Sequence, residues 1–448
     1  MSRHPRNVLI GSFVVICCVF AAFPLSIHFK VSADEQAARV GRILAVWPRP
    51  AFIEGSQNKD YGLWYPVGLA ARTGRDVYPT DPDVAFPFMY PPFAAAVLAW
   101  LSHLGQTGML LALVLSNVAA WGLAVWLGVR LVAGPAAVHP LVWGLPSGLC
   151  LFFVYDMFLL GQPNLGLLVL LLAGFHLLRA GRPGWAGAAF ATAAALKAFP
   201  AVVVVYLVWR RHWLAAVSMV VVTAALLLVA PVPTRGWDRN LQDLRVWADG
   251  MLLKTDGGTV GQRPEQSMGW RNQSVPAVVR RLCDRVDAEA DAFGATAPVY
   301  VNLIDLTTRQ VTGVTAVVCG LLGLTFVGAM PKRAGRTRLT DACEFGVLTV
   351  LVVVGTPYAF VYYFVWLLLP ATVLTWLATS GPDRPTRRGA WATLAAGFLV
   401  MLAGAPLTDS KVGAAVGAFL WGALVLAGGL GWVLWRQGRG KMPAGGAT

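Results

Sequence analysis

The chain has 448 residues, of which 57% are hydrophobic and only 13% are charged. A soluble domain carries about a quarter charged residues, so this composition excludes an ordinary soluble protein. Apolar runs of about 20 residues, the length that crosses the hydrocarbon core of a bilayer, recur along the whole sequence. The sequence therefore predicts an all-α polytopic membrane protein.

The formal net charge is +14, which raises the question of a nucleic-acid partner. Lysine and arginine cluster instead in short segments between the apolar runs, as the positive-inside rule predicts for cytoplasmic loops. We therefore expect membrane lipids and no nucleic acid among the partners. Of the six cysteines only Cys283 falls in a long loop, so neither a disulfide framework nor a metal-binding spacing is readable.

The apolar runs predict about ten to thirteen transmembrane helices, with the usual error of a few residues at each boundary. In chain order the runs cover 8–28, 93–105, 107–132, 138–157, 163–178, 184–208, 213–232, 309–330, 342–357, 360–378, 390–405 and 412–435. The basic N-terminus and the basic segments 210–212, 332–338, 384–388 and 436–441 are expected in the cytoplasm.

Two polar loops, about 29–92 and 233–308, are much longer than ordinary connections. One crossing separates each loop from a basic segment, so both are expected to face the extracytoplasmic side. Their Trp, Tyr and Pro content favours function over disorder. We predict a catalytic transmembrane module over 1–378, followed by C-terminal helices and a cytoplasmic tail over 379–448.

The region 93–208 is compatible with two topologies. Simple alternation of spans would place Arg179 and Arg182 outside, against the positive-inside rule. In the alternative, 93–105 dips without crossing and 184–208 splits into two short helices near Pro200, because irregular backbone is tolerated at depth where protein covers it. The sequence leaves both topologies open.

Asp60 opens an amphipathic stretch in the first long loop, with Trp64, Val67 and Ala71 at helical spacing. Its carboxylate is suited to capping the helix that follows, a role worth about 1 kcal/mol. Capping would explain the residue fully and does not exclude a second role.

Lys197 stands inside an apolar run, where a lysine costs about 2.5–3.5 kcal/mol on insertion scales and indicates function by default. The alternative is a side chain that reaches the membrane surface from a helix end. The break at Pro200 favours function. Gln162 and Asn164 lie between apolar runs and could either bind sugar hydroxyls or cap the next helix.

Five segments occur in an order that resembles a known enzyme family. They are Asp60-Tyr61 with Gly74 and Tyr78, Tyr90-Pro91-Pro92, Gly161-Gln162-Pro163-Asn164, Gly187 with Lys197 and Pro200, and Asn272-Gln273-Ser274 with Arg280 or Arg281. A sixth segment, 356–363, matches in part. The chain resembles GT-C glycosyltransferases, and more closely glycosyltransferase family 87, which includes mycobacterial phosphatidylinositol-mannoside mannosyltransferases and an arabinan-branching arabinosyltransferase.

The resemblance implies a GT-C fold and the transfer of a sugar, mannose above all, from a polyprenyl phosphate to a hydroxyl of a lipid or glycan. The acceptor hydroxyl must lose a proton, and Asp60 is the predicted general base of an inverting displacement. The phosphate leaving group needs positive charge rather than an acid. Lys197 is the first candidate for this charge, and Arg271, Arg280 and Arg281 are the second, with an ordinary solvated loop face as their alternative.

The other predicted substrate contacts are Tyr61, Tyr90, Gln162, Asn164, Asn272, Ser274, Tyr362 and Tyr363. One segment departs from the family pattern, because Phe360 stands at its tryptophan position and Tyr362 stands where members often carry a histidine. A tyrosine can hydrogen-bond a phosphate or a sugar but cannot become cationic. The departure leaves the donor contacts and the identity of the sugar open.

No convincing metal site is readable, since Asp81-Pro82-Asp83 lies in a proline-rich turn. We therefore expect a metal-independent enzyme without a cofactor.

A transporter or lipid flippase without covalent chemistry is the main alternative to an enzyme, and a non-catalytic assembly subunit is a third possibility. The two long outer loops and the lack of an evident repeat favour the enzyme. The Ala, Gly, Val and Arg usage is typical of a high-GC bacterium, so the expected location is a bacterial cytoplasmic membrane.

Overall fold

The computed structural model describes residues 3–30, 60–78, 88–253, 255–256, 259–260, 267–289, 297–332, 335–404 and 411–438. Over these residues the protein is mainly helical and contains several candidate membrane spans, which confirms the predicted all-α polytopic class. The two-residue strands β1 (Thr255–Asp256) and β2 (Thr259–Val260) pair antiparallel in the second long loop.

The first ten helices agree with the apolar runs and include one amphipathic helix, α2, between the first and second runs. They are α1 (Arg3–Lys30), α2 (Tyr61–Arg72), α3 (Pro92–Leu101), α4 (Gly105–Ala133), α5 (Leu141–Leu149), α6 (Leu151–Leu160), α7 (Asn164–Arg179), α8 (Pro183–Leu196), α9 (Val203–Trp209) and α10 (Trp213–Leu228). Short 3₁₀ turns, Ser102–Leu104 and Phe199–Val202, precede α4 and α9.

The remaining helices begin in the second long loop and end in the C-terminal region. They are α11 (Val232–Arg235), α12 (Trp237–Ala248), α13 (Val275–Cys283), α14 (Thr308–Ala329), α15 (Arg338–Val354), α16 (Leu368–Ser380), α17 (Arg384–Leu402), α18 (Val412–Ala415) and α19 (Ala418–Gly438). A π turn at Asp249–Leu253 follows α12, and a 3₁₀ segment at Val361–Leu367 leads into α16.

Among the described residues, five helices are long and apolar enough to cross a membrane, or up to six if the bent pair α5 and α6 forms one span. The axes of α5 and α6 differ by 56°. Three further apolar helices, Gly11–Ala22, Asn164–Arg179 and Phe199–Trp209, are shorter. The predicted total of about ten to thirteen spans stays a prediction.

The runs 93–105 and 184–208, on which the two topologies differ, form short helices. The helix α3 has 10 residues, about 15 Å at 1.5 Å per residue, or half of a hydrocarbon core. Helix α8 ends at Leu196, and Lys197 takes an extended backbone conformation with φ −153° and ψ 118°. Pro200 lies in the 3₁₀ turn that follows. A proline disfavours α-helix at the residue before it, which is consistent with an interrupted helix here.

The helices from α4 to α16 form a bundle with two opposite ends. At one, which we call the site end, Lys197 contacts Gln162 in the turn before α7. At the other, which we call the basic end, Arg179 at the end of α7 faces Asp341 at the start of α15, and Arg210, just after α9, binds Glu344. Helix α8 therefore runs from the basic end to the site end, and α9 returns.

The segment Val361–Ser380 forms the centre of the helical bundle. In the 18-residue stretch that qualifies this segment as a membrane span, 89% is buried. The corresponding share is 17% for Trp213–Arg235 and 11% for Thr308–Ala329. The last two present valine and leucine side chains outward, as expected of helices that face lipid. The 3₁₀ segment that carries Tyr362 and Tyr363 is thus held on all sides by protein.

Gly187 allows α8 and α10 to pack at close range. A Cβ atom there would lie 2.7 Å from Ser218 Cβ and closer still to the carbonyl oxygen of Ala215. Small residues at helix contacts are the usual means of close packing in lipid. We expect Gly187→Val to lower the thermal unfolding temperature of the purified protein, since overpacking costs about 1–3 kcal/mol.

The matched control for this change is Gly184→Ala in the same helix, where nothing lies within 4 Å of an added Cβ. That variant should unfold at or above the wild-type temperature, because alanine favours helix over glycine. If Gly187→Val unfolds at the wild-type temperature, the close contact between α8 and α10 is incorrect.

Candidate active site

Asp60 lies directly before α2, and the helix buries Trp64, Val67 and Ala71 as the sequence predicted. The residue has helical dihedral angles (φ −70°, ψ −24°), and its side chain makes no capping hydrogen bond. Its Oδ2 accepts a hydrogen bond from Nε2 of Gln162 instead. The carboxylate is therefore directed at the turn before α7, and the capping interpretation is wrong.

The turn that carries Gln162 is fixed against α2 by Gly161. This glycine has φ +75°, and a Cβ atom there would lie 2.8 Å from Cγ of Tyr61. Only glycine combines that left-handed backbone with contact to an aromatic ring. The indole Nε1 of Trp64 also donates to the carbonyl oxygen of Gly161 at 2.9 Å. These contacts hold Asp60 and Gln162 at a defined separation.

Gln162 connects the acidic and basic groups of the site. Its Oε1 accepts from Tyr90 Oη at 2.7 Å and from Lys197 Nζ at 3.0 Å, while its Nε2 donates to Asp60. These partners determine the orientation of the amide, because its oxygen faces two donors and its nitrogen faces a carboxylate. A nearly buried neutral side chain thus lies between a carboxylate and an ammonium.

Lys197 points into the protein, inside a cage of tyrosine rings. Its Nζ donates to Asn164 Oδ1 at 3.1 Å and lies 4.2 Å from the ring centre of Tyr363, 5.1 Å from Tyr90 and 5.3 Å from Tyr362. Aromatic faces attract a cation at these distances. The alternative of a lysine that reaches for the membrane surface is therefore wrong.

Asn164 ties the start of α7 to the central segment. It is fully buried; its Nδ2 donates to Tyr362 O at 3.4 Å, and its own carbonyl oxygen accepts from Trp366 Nε1 at 2.9 Å. The N-cap of α7 is Pro163, and no side chain caps this helix. The capping interpretation of Gln162 and Asn164 is thus wrong, and both side chains serve the site.

One residue from each long loop supports the Tyr90 side of the site. Trp247 on α12 donates to the carbonyl oxygen of Met89 at 3.0 Å, and Tyr78 Oη donates to the carbonyl oxygen of Tyr90 at 2.5 Å. Sequence reasoning missed Trp247. The only signal was its place on a short amphipathic helix, which does not identify a partner at Met89.

Asn272 joins the second long loop to the segment that precedes Tyr362. Its Nδ2 donates to the carbonyl oxygens of Ser267 at 3.0 Å and Pro357 at 2.7 Å, and its Oδ1 accepts from Ser274 N at 3.2 Å and Ala359 N at 2.9 Å. An asparagine amide has two donors and two acceptor positions, so all four are occupied. The structure gives Asn272 a positioning role; its direct contact with a substrate stays a prediction.

The other predicted residues of this loop have local partners. Ser274 caps α13 through a bond from Ala277 N at 3.2 Å. Arg280 pairs with Asp284 at 2.8 Å. Buried Arg281 donates to the carbonyl oxygens of Ala415 at 2.7 Å and Gly269 at 2.8 Å, and Arg271 lies 5.2 Å from the Trp270 ring centre. Their predicted contacts with substrate stay predictions.

Replacing Asn272 by alanine should destabilise the protein and should not weaken donor binding by the folded fraction. The change leaves carbonyl and N–H groups of a buried site without partners, at a cost of about 1–3 kcal/mol each. Thermal unfolding and the donor KM, measured on the same sample, separate the two effects. Asn302→Ala, which removes an exposed amide bonded to Asp305, is the control. A donor KM that rises with no loss of stability would indicate direct substrate contact instead.

No group of three or more His, Cys, Asp or Glu side chains that could hold a metal occurs within the described part of the chain. The Asp81-Pro82-Asp83 sequence lies outside the described residues. Metal independence stays a prediction.

The fold and the site together define a polytopic membrane protein with a carboxylate and a caged lysine at one end of its helices. The sequence profile of glycosyltransferase family 87 matches residues 88–357, more than half of the chain. The chain belongs to this family, and it is a membrane glycosyltransferase; family membership favours this function over transport. No curated protein and no solved structure matches it.

The matched region contains Tyr90, Gln162, Asn164 and Lys197, but it begins after Asp60 and ends before Tyr362. The place of Asp60 in the site therefore depends on its contact with Gln162, a residue 102 positions away.

Proposed function

We propose that the protein transfers a hexose, mannose above all, from a polyprenyl phosphate to a hydroxyl of a lipid or glycan, with inversion at the anomeric carbon. The observation that carries the proposal is the bridge from Asp60 through Gln162 to Lys197. A carboxylate and an ammonium, set a short distance apart, are the two groups that a displacement of phosphate by a hydroxyl requires.

Asp60 acts as the general base. Its side chain is partly exposed, so an acceptor hydroxyl can reach it, and the amide of Gln162 orients the carboxylate. As the acceptor oxygen forms its bond to the anomeric carbon, the proton of that hydroxyl moves to Asp60. The bond from the anomeric carbon to the phosphate oxygen breaks, and the electron pair leaves with the phosphate.

Lys197 stabilises the departing phosphate. Among the described residues two oxygen atoms, on Gln162 and Asn164, accept from its Nζ. An ammonium has three N–H groups, so the third is available for a phosphate oxygen. The tyrosine rings that surround Nζ exclude water and strengthen the attraction between the two charges.

The proposed orientation places the basic end in the cytoplasm and the site end on the extracytoplasmic side of a bacterial cytoplasmic membrane. The positive-inside rule supports this orientation, because Arg179 and Arg210 both belong to the basic end. The broken run at Lys197 and the short helix α3 support the topology in which 93–105 dips without crossing. The prenyl chain of the donor would then lie in the outer part of the bilayer.

The test is a transfer assay with the full-length protein in nanodiscs. Radiolabelled polyprenyl-phosphate-mannose is supplied with a membrane lipid extract. In a parallel sample, a radiolabelled nucleoside-diphosphate mannose replaces it. Label is expected to pass to an acceptor only from the prenyl donor. Transfer from the nucleotide sugar alone would overturn the donor class, and transfer from a prenyl-phosphate arabinose alone would replace mannose by arabinose.

The same assay tests metal independence. A chelator should leave the initial rate unchanged, because Lys197 supplies the positive charge that a divalent cation would otherwise bring to the phosphate. A rate that falls with chelator and returns with Mg²⁺ or Mn²⁺ would contradict this expectation.

A further inference from the structure

Four arginine side chains meet at the basic end, where the last turns of α4 and α7 lie against the first turn of α15. Arg336 Nε lies 2.8 Å from Asp341 Oδ1, and Arg179 Nε lies 4.0 Å from Asp341 Oδ2. Arg130 donates to the carbonyl oxygen of Gly134 at 3.0 Å, and the guanidinium of Arg338 packs beside the same glycine. We call Arg130, Arg179, Arg336 and Arg338 the arginine cluster.

The arginine cluster carries more positive charge than the neighbouring carboxylates balance. The carboxylate of Asp341 is shared between Arg179 and Arg336. Glu344 also lies near Arg336, but it already accepts a hydrogen bond from Nε of Arg210 at 2.9 Å. Arg336 and Arg338 repel the guanidinium of Arg179. The side chains of Arg179 and Arg336 are only 17% and 20% exposed, so water screens this repulsion incompletely.

Exposed tryptophans place the arginine cluster at the level of the lipid headgroups. Trp185, Trp209 and Trp213 are 71%, 57% and 58% exposed, and all three lie at the basic ends of their helices. Outward-facing tryptophans at helix ends mark a membrane–water interface. Arg336 Nη1 lies 3.3 Å from Nε2 of His212, the residue before Trp213, so the cluster shares this level.

We propose that the arginine cluster binds the phosphate of an anionic phospholipid headgroup. Guanidinium groups bind phosphate oxygens in pairs of parallel hydrogen bonds, and basic pockets between transmembrane helices are suited to such headgroups. The N-terminus of α15 adds partial positive charge at the same place. Arg338 is exposed and makes the first contact, while Arg179 and Arg336 lie deeper. The site lies at the opposite end from Asp60, so the proposal is independent of the transferase mechanism.

The experiment measures lipid binding by the full-length protein. Phosphatidylglycerol is titrated into protein held in phosphatidylcholine nanodiscs or detergent, and retained lipid is counted by native mass spectrometry. Arg338→Gln should weaken phosphatidylglycerol binding about tenfold, the effect of losing one charged hydrogen-bond partner. The variant leaves the pair of Arg336 and Asp341 intact and should fold.

The matched control is Arg388→Gln, which removes an equal charge from an exposed position on α17 and should leave binding unchanged. Equal affinities for the wild type and Arg338→Gln, or an equal loss in both variants, would overturn the proposal. Inorganic phosphate is the second probe. If it binds the lipid-free protein as tightly as phosphatidylglycerol does, the occupant is a soluble phosphate and the lipid assignment is overturned.

Discussion

Asp60→Asn should lower kcat for sugar transfer by about 10² to 10⁴, the contribution of a general base. Asparagine keeps the size of the side chain, and the amide of Gln162 can still bond to its oxygen. What is lost is the ability to accept the proton of the acceptor hydroxyl. The initial rate of label transfer gives kcat, and donor binding by the variant should be close to that of the wild type.

The control for this change is Asp76→Asn, which removes a carboxylate from the same loop. The side chain of Asp76 is 43% exposed and pairs with Arg239 rather than with the site, so the rate should change little. A folded Asp60→Asn protein with a wild-type rate would remove Asp60 from the mechanism. An equal loss in both variants would point to the charge of the loop instead.

Lys197→Met should lower kcat/KM for the donor by about 10² to 10³, the effect of losing one group that stabilises charge in the transition state. Methionine fills much of the same volume among the tyrosine rings, so the packing of Phe199 against Tyr363 should survive. Lys197→Arg should not restore the rate, because a planar guanidinium cannot occupy the position of Nζ between Gln162 and Asn164.

Binding of a prenyl phosphate without sugar distinguishes phosphate recognition from a general defect. It should weaken in Lys197→Met and remain unchanged in Lys332→Met, which removes an exposed lysine at the basic end. If both variants bind prenyl phosphate as the wild type does, Lys197 has a structural role and the phosphate lies elsewhere.

Much of the fold follows from local pattern. The apolar runs predicted the helices because a helix that meets lipid must be apolar over its length, and the amphipathic spacing of Trp64, Val67 and Ala71 predicted α2. The break in 184–208 was expected as one of two topologies, since Pro200 disfavours helix before it. The extended backbone at Lys197 supports that topology, which stays a prediction.

The interior of the site could be predicted only in part. Asp60 and Lys197 stood out because a carboxylate in a long loop and a lysine in an apolar run are each unusual. The role of Gln162 could not be predicted in this way, because its partners Asp60, Tyr90 and Lys197 are 102, 72 and 35 positions away in the sequence. Local spacing also failed for Asn272, whose role depends on hydrogen bonds to the distant backbone of Pro357 and Ala359 as well as on two local ones.

Because the chain reverses after α8, the length of this helix determines how far the Lys197 ammonium lies from the basic end. Lys197 follows the 14 residues of α8, which at 1.5 Å per residue place it about 21 Å from the turn at Arg182. Adding one residue within α8 would move the lysine by about 1.5 Å and turn it by about 100° around the helix axis. The length of α8 therefore sets the distance between the Lys197 ammonium and the basic end of the helices, and a proposed donor phosphate bound at Lys197 would lie at that distance.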